Sequence, residues 1–551
     1  MSGVGKGVAA ASIGRVLQSK GYSVSAIKID PYINIDAGTM NPIEHGEVFV
    51  TEDGDETDQD LGNYERFLNQ NILSGNYMTT GRVYQSVIER ERNLGYGGKC
   101  VEVVPHIPEE IISRIQAATK KTDAEIMLIE VGGTVGEYQN LLFLEAARMM
   151  KMHNFHDVLF ILVSFLPIPS KVGEMKTKPT QYAIRTLNSA GIQPDFVLCR
   201  SARPLDDSRK QKIAVSGSML PDHVMSAPDV DSIYEIPLNF EAEKIGEKIL
   251  MQFGWGPKSG ARDLDDWQEL VRVSREAKEK VTIGIVGKYF RTGDFVLKDS
   301  YISVIEAVKH AAWFFGKNVD IQWLDSAVYE AEPGKLEELK SFDGIIVPGG
   351  FGSRGIDGKL ATIRYVRENK IPFFGLCYGL QLATIEFARN VCGITRATSE
   401  EIDPDSKEKV IHIMPDQVEN IEHSRYGSTM RLGAYPCVLN ENSISFRAYG
   451  QKQISERHRH RYEVNNEYRE KLEQGGLLLA GVSPDNRLVE IIEIPGHPFF
   501  VATQFHPEFK SRPITGHPLF NAFIAACMKK TKKIDDCPEK QVADGLQVES
   551  Y

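Results

Sequence analysis

The 551-residue chain is poor in cysteine and tryptophan, with seven and four respectively, and it lacks a long apolar run, a basic excess and internal repeats. The cysteines are odd in number and scattered without paired spacing, which argues against a disulfide framework or a zinc site and fits a reducing compartment. The longest apolar stretch, Val158 to Pro169, is too short and too proline-broken to cross a bilayer, and no charged-then-apolar leader precedes it. No membrane partner is expected, and the expected location is cytoplasmic. A net charge of −11 with mixed signs gives no footprint for nucleic acid, so any anion must be bound by a local cluster. The length exceeds what one core can organise and implies two or more domains.

From Gly7 to about Met251, apolar runs at 24–29, 126–129 and 158–163 alternate with helix-period segments, the pattern of a parallel, doubly wound sheet. A Gly/Pro start followed by a charged amphipathic stretch around Trp267 reads as a linker. A second strand series then begins at Val281–Val286 and runs through Gly344–Val347 to Phe373–Leu376. The expected division is therefore 1–254, a linker at 255–280, a second α/β domain at 281–530, and a mobile tail at 531–551, where the Lys-rich run and polar remainder lack periodicity.

The apolar run at 373–376 stops at Cys377, which is flanked by glycines and followed by a helical pattern. A tight strand-to-helix turn of this kind holds a thiol clear of the sheet at a helix N-terminus, where the thiolate is favoured. Gln504-Phe505-His506-Pro507-Glu508 follows later, and Val347-Pro348-Gly349-Gly350-Phe351-Gly352 comes earlier. His506 can take the thiol proton and return it to a leaving amine, while Glu508 fixes the imidazole tautomer. The Gly349–Gly350 pair offers backbone N–H groups to an oxyanion, at about 3 kcal/mol per donor. These three motifs, in this order, resemble a class I glutamine amidotransferase domain. That resemblance implies glutamine hydrolysis through a thioester, with Gly350, Tyr378, Gly379, Leu380 and Gln381 lining the glutamine site and Glu401 and Arg461 gripping the amino and carboxylate groups. The alternating run Arg457-His458-Arg459-His460-Arg461 reads as one satisfied strand face rather than a metal site.

Near the N-terminus, Ser2-Gly3-Val4-Gly5-Lys6-Gly7 opens a small-residue helix and looks like the second half of a phosphate-binding loop, although Gly7 stands in place of the usual Ser/Thr. It is followed by Lys28-Ile29-Asp30-Pro31-Tyr32, His45-Gly46-Glu47-Val48-Phe49-Val50, Asp58-Gln59-Asp60-Leu61-Gly62, Glu130-Val131-Gly132-Gly133-Thr134 and Lys176-Thr177-Lys178-Pro179-Thr180-Gln181. In this order the motifs resemble the CTP synthase family over roughly Ser2 to Lys529. The resemblance implies two doubly wound α/β domains, a P-loop-type amidoligase and the amidotransferase. The first would use ATP to phosphorylate the 4-oxygen of UTP, which ammonia from glutamine then displaces to give CTP.

Carried residue by residue, the resemblance puts ATP at Gly3, Val4, Gly5, Lys6, Gly7, Val8, Lys28, Asp60 and Val230, with Mg2+ on Asp60 and Glu130. It puts UTP, or CTP as feedback inhibitor, at Ser2, Glu137, Tyr138, Gln139, Lys176, Thr177, Lys178, Pro179, Thr180, Gln181 and Lys212. GTP is implied as allosteric activator of the glutaminase, with Arg354 and the 427–433 segment as contributors, and a homotetramer is implied as the assembly. Three departures stand out. The family strand and glycines before Ser2 are absent, so the native chain is expected to begin about a dozen residues upstream. Gln139 replaces a glutamate near the pyrimidine, and Ser399-Glu400-Glu401-Ile402 and Pro228 differ from the usual residues. The alternatives are another P-loop amidoligase acting on a carboxylate, against which Lys176–Gln181 argues, and a regulatory or filament-forming pseudoenzyme.

Overall fold

A computed structural model describes residues 3–171, 173–287, 291–292, 295–296, 298–350, 355–414, 417 and 429–531. In the first half, the helix Lys6–Ser19 starts where Gly5, at φ 79°, turns the chain in. Its buried Ala, Val and Leu residues pack on the helix Asp60–Leu68 and beneath the strand Val24–Asp30, all seven residues of which are buried. Strands that bury both faces take continuous apolar runs, as this one does.

The parallel strands of this half form two sheets. Val24–Asp30 lies between Tyr77–Thr79 and Ile126–Val131, and Phe196–Ser201 lies between Ile161–Phe165 and Val224–Pro228. Ile126–Val131 and Ile161–Phe165 are thus edge strands, and Ile129 and Phe165 are 36% and 38% exposed. The third strand begins at Ile161 rather than at Val158. Val158 O instead receives the Lys151 ammonium, and Phe160 N donates to Asp195 Oδ2 at 2.7 Å. Within 255–280, the helix Asp265–Glu276 buries Trp267, Leu270 and Val271 in the first core, and Trp267 Nε1 donates to Tyr234 O at 2.6 Å.

The second half is built on one nine-stranded sheet. Asn318–Asp325, Lys280–Gly287, Gly344–Val347, Phe373–Leu376 and Phe500–Thr503 run parallel, and Val489–Glu493, Leu478–Val482, Arg431–Leu439 and Gln453–His460 extend it antiparallel. The sheet is mixed rather than all parallel, and its antiparallel neighbours need no crossover helix between them. Side chains alternate between two cores: Phe373 and Phe500 face one, Phe374 and Val501 the other. Phe373–Leu376 and Phe500–Thr503 are neighbours, so the chain leaving each of them meets at one end of the sheet.

Candidate active site

Cys377 lies where the strand Phe373–Leu376 turns into the helix Tyr378–Asn390. Its backbone, at φ 50° and ψ −97°, is in a region that costs a non-glycine residue about 1–3 kcal/mol, so the surrounding packing must hold it. Cys377 N donates to Thr503 O at 2.7 Å, tying the turn to the neighbouring strand. A β-carbon on Gly379 would lie 2.3 Å from Val347 O, which explains why glycine is required one residue into the helix.

The neighbouring strand delivers His506 and Glu508. His506 Nδ1 and Glu508 Oε1 are 2.6 Å apart, and the ring stacks on Phe509 at 5.1 Å between centroids. Burial alone would lower the pKa of His506, but Glu508 and Cys377 raise it to about 10. Nδ1 thus faces the carboxylate, and the Cys377 thiol is the other group that acts on the ring. A β-carbon on Gly349 would sit 3.0 Å from His506 Cε1 and 3.9 Å from Cys377 Cβ, so the glycine pair borders the thiol and the imidazole together. Gln504 Nε2 and Arg459 O each lie 3.7 Å from Cys377 Sγ. Neither had been singled out from the sequence, although Gln504 opens the same motif as His506.

Around the thiol, Gln381 Nε2 donates to Tyr462 O at 3.0 Å, and Arg461 reaches Gln417 Oε1 and Thr429 Oγ1 at 2.9 and 2.8 Å. Burial raises the pKa of the Tyr378 hydroxyl, and the Glu401 carboxylate adds to the shift. Lys359, 1% exposed, places its ammonium 5.3 Å from the centre of the Tyr378 ring and 3.9 Å from where a β-carbon on Gly350 would stand. Its spacing on a helix gave no signal in the sequence.

A second charged centre forms in the first half around Lys28, which is 5% exposed. Its ammonium contacts Asp60 and lies 3.1 Å from Glu130, 3.6 Å from Asp30 and 3.9 Å from Asp58. Burial lowers the pKa of Lys28, but the four carboxylates outweigh it and hold the group well above its ordinary value. Burial would raise Asp60, yet Lys28 holds it below the usual carboxylate range; Asp58, where burial wins, rises to about 7. The hydroxyl of Tyr64 donates to Glu130, and Lys6 Nζ donates to Gly133 O at 3.1 Å, which brings the glycine-rich start against the Glu130-Val131-Gly132-Gly133 turn. A β-carbon on Gly7 would be 2.1 Å from Asp60 Oδ1. Serine or threonine at that position would force the Asp60 carboxylate to move.

The CTP synthase N-terminus family model matches residues 1–255, and the class-I glutamine amidotransferase model matches 296–526. A CTP synthase of Herpetosiphon aurantiacus is 49% identical, covering 96% of this chain and 97% of the relative. One from Carboxydothermus hydrogenoformans is 49% identical, covering 97% and 98%. The chain belongs to the CTP synthase family. A solved glutaminase domain of Trypanosoma brucei CTPS with bound acivicin is 39% identical, covering 45% of this chain and 94% of that one, with a TM-score of 0.42.

For the CTP synthase nucleotide sites, the fold brings the predicted residues together unevenly. Gly3, Val4, Gly5, Lys6, Gly7 and Val8 lead into the first helix, at the same end as Lys28 and Asp60, whereas Val230 follows the strand Val224–Pro228 and packs against the first core. Glu137 Oε2 accepts from Thr134 N at 2.9 Å and from Gln139 Nε2 at 3.0 Å, and Tyr138 beside them is 91% exposed. Lys178, Pro179, Thr180 and Gln181 form the first turn of the helix Lys178–Ser189, where proline suits the unbonded N–H position. Thr180 Oγ1 accepts from Ser164 Oγ at 3.0 Å, Gln181 Nε2 donates to Thr177 Oγ1 at 3.2 Å, and Lys176 pairs with Glu174 at 2.6 Å. Glu174 is held below the usual carboxylate range by Lys176, with Arg209 and Lys212 contributing, so these cations share one region. Ser2, Arg354, 427–428 of the 427–433 segment and 532–551 lie outside the described residues.

The Arg457–Arg461 run finds partners on two faces rather than one. His458 Nε2 meets Glu490 Oε2 at 2.8 Å on one side, while Arg457 and Arg459 reach carboxylates of the first half on the other. Among the described residues, no group of three or more His, Cys, Asp or Glu is arranged to cage a metal. Asp60 and Glu130 remain as a pair of hard oxygen donors. That pair fits Mg2+, which is commonly held by one or two carboxylates together with substrate phosphates.

Proposed function

We propose that this chain aminates UTP to CTP at the Lys28 centre, using ATP and ammonia released from glutamine at Cys377. The observation that carries the reading is the 2.6 Å pair His506–Glu508 beside the Cys377 turn, in a chain that also builds the Lys28 centre. Cys377 Sγ attacks the glutamine amide carbon. His506 takes up the thiol proton and passes it to the departing ammonia, and water then cleaves the thioester with His506 as base. Glu508 holds the Nδ1 side of the ring, leaving Nε2 for the sulfur. The N–H groups of Gly349 and Gly350 receive the oxyanion. Glu401 and Arg461 bind the amino and carboxylate groups of glutamine, and Tyr378, Gly379, Leu380 and Gln381 shape the pocket.

In the first half, Lys6 and Lys28 neutralise charge on the phosphoryl group passing from ATP to the uracil 4-oxygen. Asp60 and Glu130 would hold Mg2+, which would supply charge compensation to the nucleotide phosphates. Glu137, Tyr138 and Gln139 address the pyrimidine, and Lys176, Lys178, Gln181 and Lys212 the triphosphate of UTP or of inhibitory CTP. GTP as activator, a homotetramer and a cytoplasmic location complete the reading. The exposed Leu94, Val103, Tyr138 and Leu141 on the first half support assembly through that half.

The test is CTP formation from UTP and Mg-ATP with either glutamine or ammonium. Cys377→Ala should abolish the glutamine route and leave the ammonium route intact. Loss of both, or of neither, would refute the assignment.

A further inference from the structure

One strand of the second half touches both the glutaminase chemistry and the first half, through opposite ends of the same residues. Along Gln453–His460, Arg457 O accepts from His506 N at 2.7 Å, and Arg459 O lies 3.7 Å from Cys377 Sγ. The side chains of these two arginines point into the first half. Arg457, fully buried, donates to Glu52 Oε2 at 2.8 Å, Val50 O at 3.0 Å and Glu65 Oε1 at 3.0 Å. Arg459 donates to Glu56 Oε1 at 2.8 Å.

Glu52 and Glu56 belong to one short hairpin, whose strands are Phe49–Val50 and Glu56–Thr57. The hairpin makes a second, apolar connection: Phe49 meets Phe509 edge-on at 5.1 Å, and Phe509 stacks on the His506 ring at 5.1 Å. Its tip is seated directly on backbone. Ala434 N donates to Glu52 O at 2.9 Å, and a β-carbon on Gly433 would stand 2.6 Å from Gly54 N, with both glycines at φ +89°. Past Thr57 the hairpin continues into Asp58 and Asp60 of the Lys28 centre.

We propose that the 49–57 hairpin is a positioning element of the glutaminase. Through Arg457, Arg459 and Phe509, it holds the thiol and the imidazole from the neighbouring domain, in register with the Lys28 centre. Glutamine hydrolysis then reaches full rate only with this hairpin seated, which links ammonia release to the site that consumes it. The inference rests on the assignment of Cys377 and His506 made above.

A double-variant cycle on the full chain tests it, using Glu56→Gln, Arg459→Gln and the double variant, with Phe49→Leu as an independent perturbation that removes no charge. Displacement of a catalytic pair by an ångström costs on the order of a hundred-fold in rate. Each single variant is expected to lower kcat for glutamine hydrolysis by about ten-fold or more and to shift its pH profile, while KM for glutamine and ammonium-dependent CTP formation stay within two-fold. The double variant should be no worse than the poorer single, since either change breaks the same link. Unchanged kcat in both Glu56→Gln and Phe49→Leu, additive losses in the cycle, or equal losses in the ammonium route would each overturn the proposal. Cys377→Ala, run alongside, separates this failure from failure of the active-site assignment, which would show as surviving glutamine-dependent activity.

Discussion

Gly7→Ser, which restores the residue usual in a phosphate-binding loop, is expected to damage the first half. The new β-carbon would fall 2.1 Å from Asp60 Oδ1, against an ordinary contact of 3.4 Å or more, so the carboxylate must retreat by more than about 1 Å. It has little freedom to do so. Asp60 N is held by Asp58 Oδ1 at 2.8 Å, and Asp60 Oδ1 also receives Asn63 Nδ2 at 3.3 Å. The contact that yields is the one to the buried ammonium of Lys28. Removing one partner of a buried pair costs about 3–5 kcal/mol, but Lys28 keeps Glu130 at 3.1 Å, so about 2–3 kcal/mol is expected here. If that loss falls on the phosphoryl-transfer step, kcat/KM for Mg-ATP drops by about 30- to 160-fold. The assay is ammonium-dependent CTP formation with ATP varied at saturating UTP, with glutamine hydrolysis in the absence of nucleotide as the control. Asp60→Asn should give a similar defect, and combining it with Gly7→Ser should add little. Wild-type ATP dependence in Gly7→Ser would refute the claim that the glycine is dictated by Asp60.

Two further outcomes follow from the glutaminase geometry. The pKa of His506, about 10, lies above the unfolded value near 6.5. The stability that its cation confers is therefore present in full below pH 6.5 and lost as pH rises through about 10. The alkaline limb of glutamine hydrolysis should fall near that upper value and move toward neutrality in Glu508→Gln; an unmoved limb would show that Glu508 does not set the imidazolium. Lys359→Met removes the buried ammonium that lies beside Tyr378 and Gly350. The expected result is at least a ten-fold lower kcat with glutamine and an unchanged ammonium route, and an unchanged kcat would exclude a role for this ammonium.

The parts of the molecule legible in the sequence are those whose causes lie close together along the chain. Phe373–Leu376 followed by a glycine-flanked cysteine reads as a strand, a turn and a helix because each feature is local, and the structure builds them over those residues. His506 and Glu508 are equally legible, being two residues apart on one turn. The reason for Gly7 was hidden: the loop motif alone marks the glycine as a departure, and only the approach of Asp60 turns it into a requirement. Lys359 was illegible for the same reason, since its significance comes from Tyr378 and Gly350 on other segments. The third strand of the first half was placed three residues early because an apolar run does not reveal that Lys151 and Asp195 claim its first backbone groups.

The arginine–histidine run shows where local reasoning meets its limit. Alternation along a strand separates two faces. It cannot say that His458 pairs with Glu490 within the same sheet, while Arg457 and Arg459 pair with Glu52, Glu56 and Glu65 from the other domain. A buried arginine that leaves its own domain to find carboxylates is costly unless its partner is always present, because breaking such a pair strands a charge. Arg457 and Arg459 therefore commit the glutaminase to a docked first half. The same two residues present their carbonyls to His506 N and Cys377 Sγ, so the commitment is made at the catalytic pair itself.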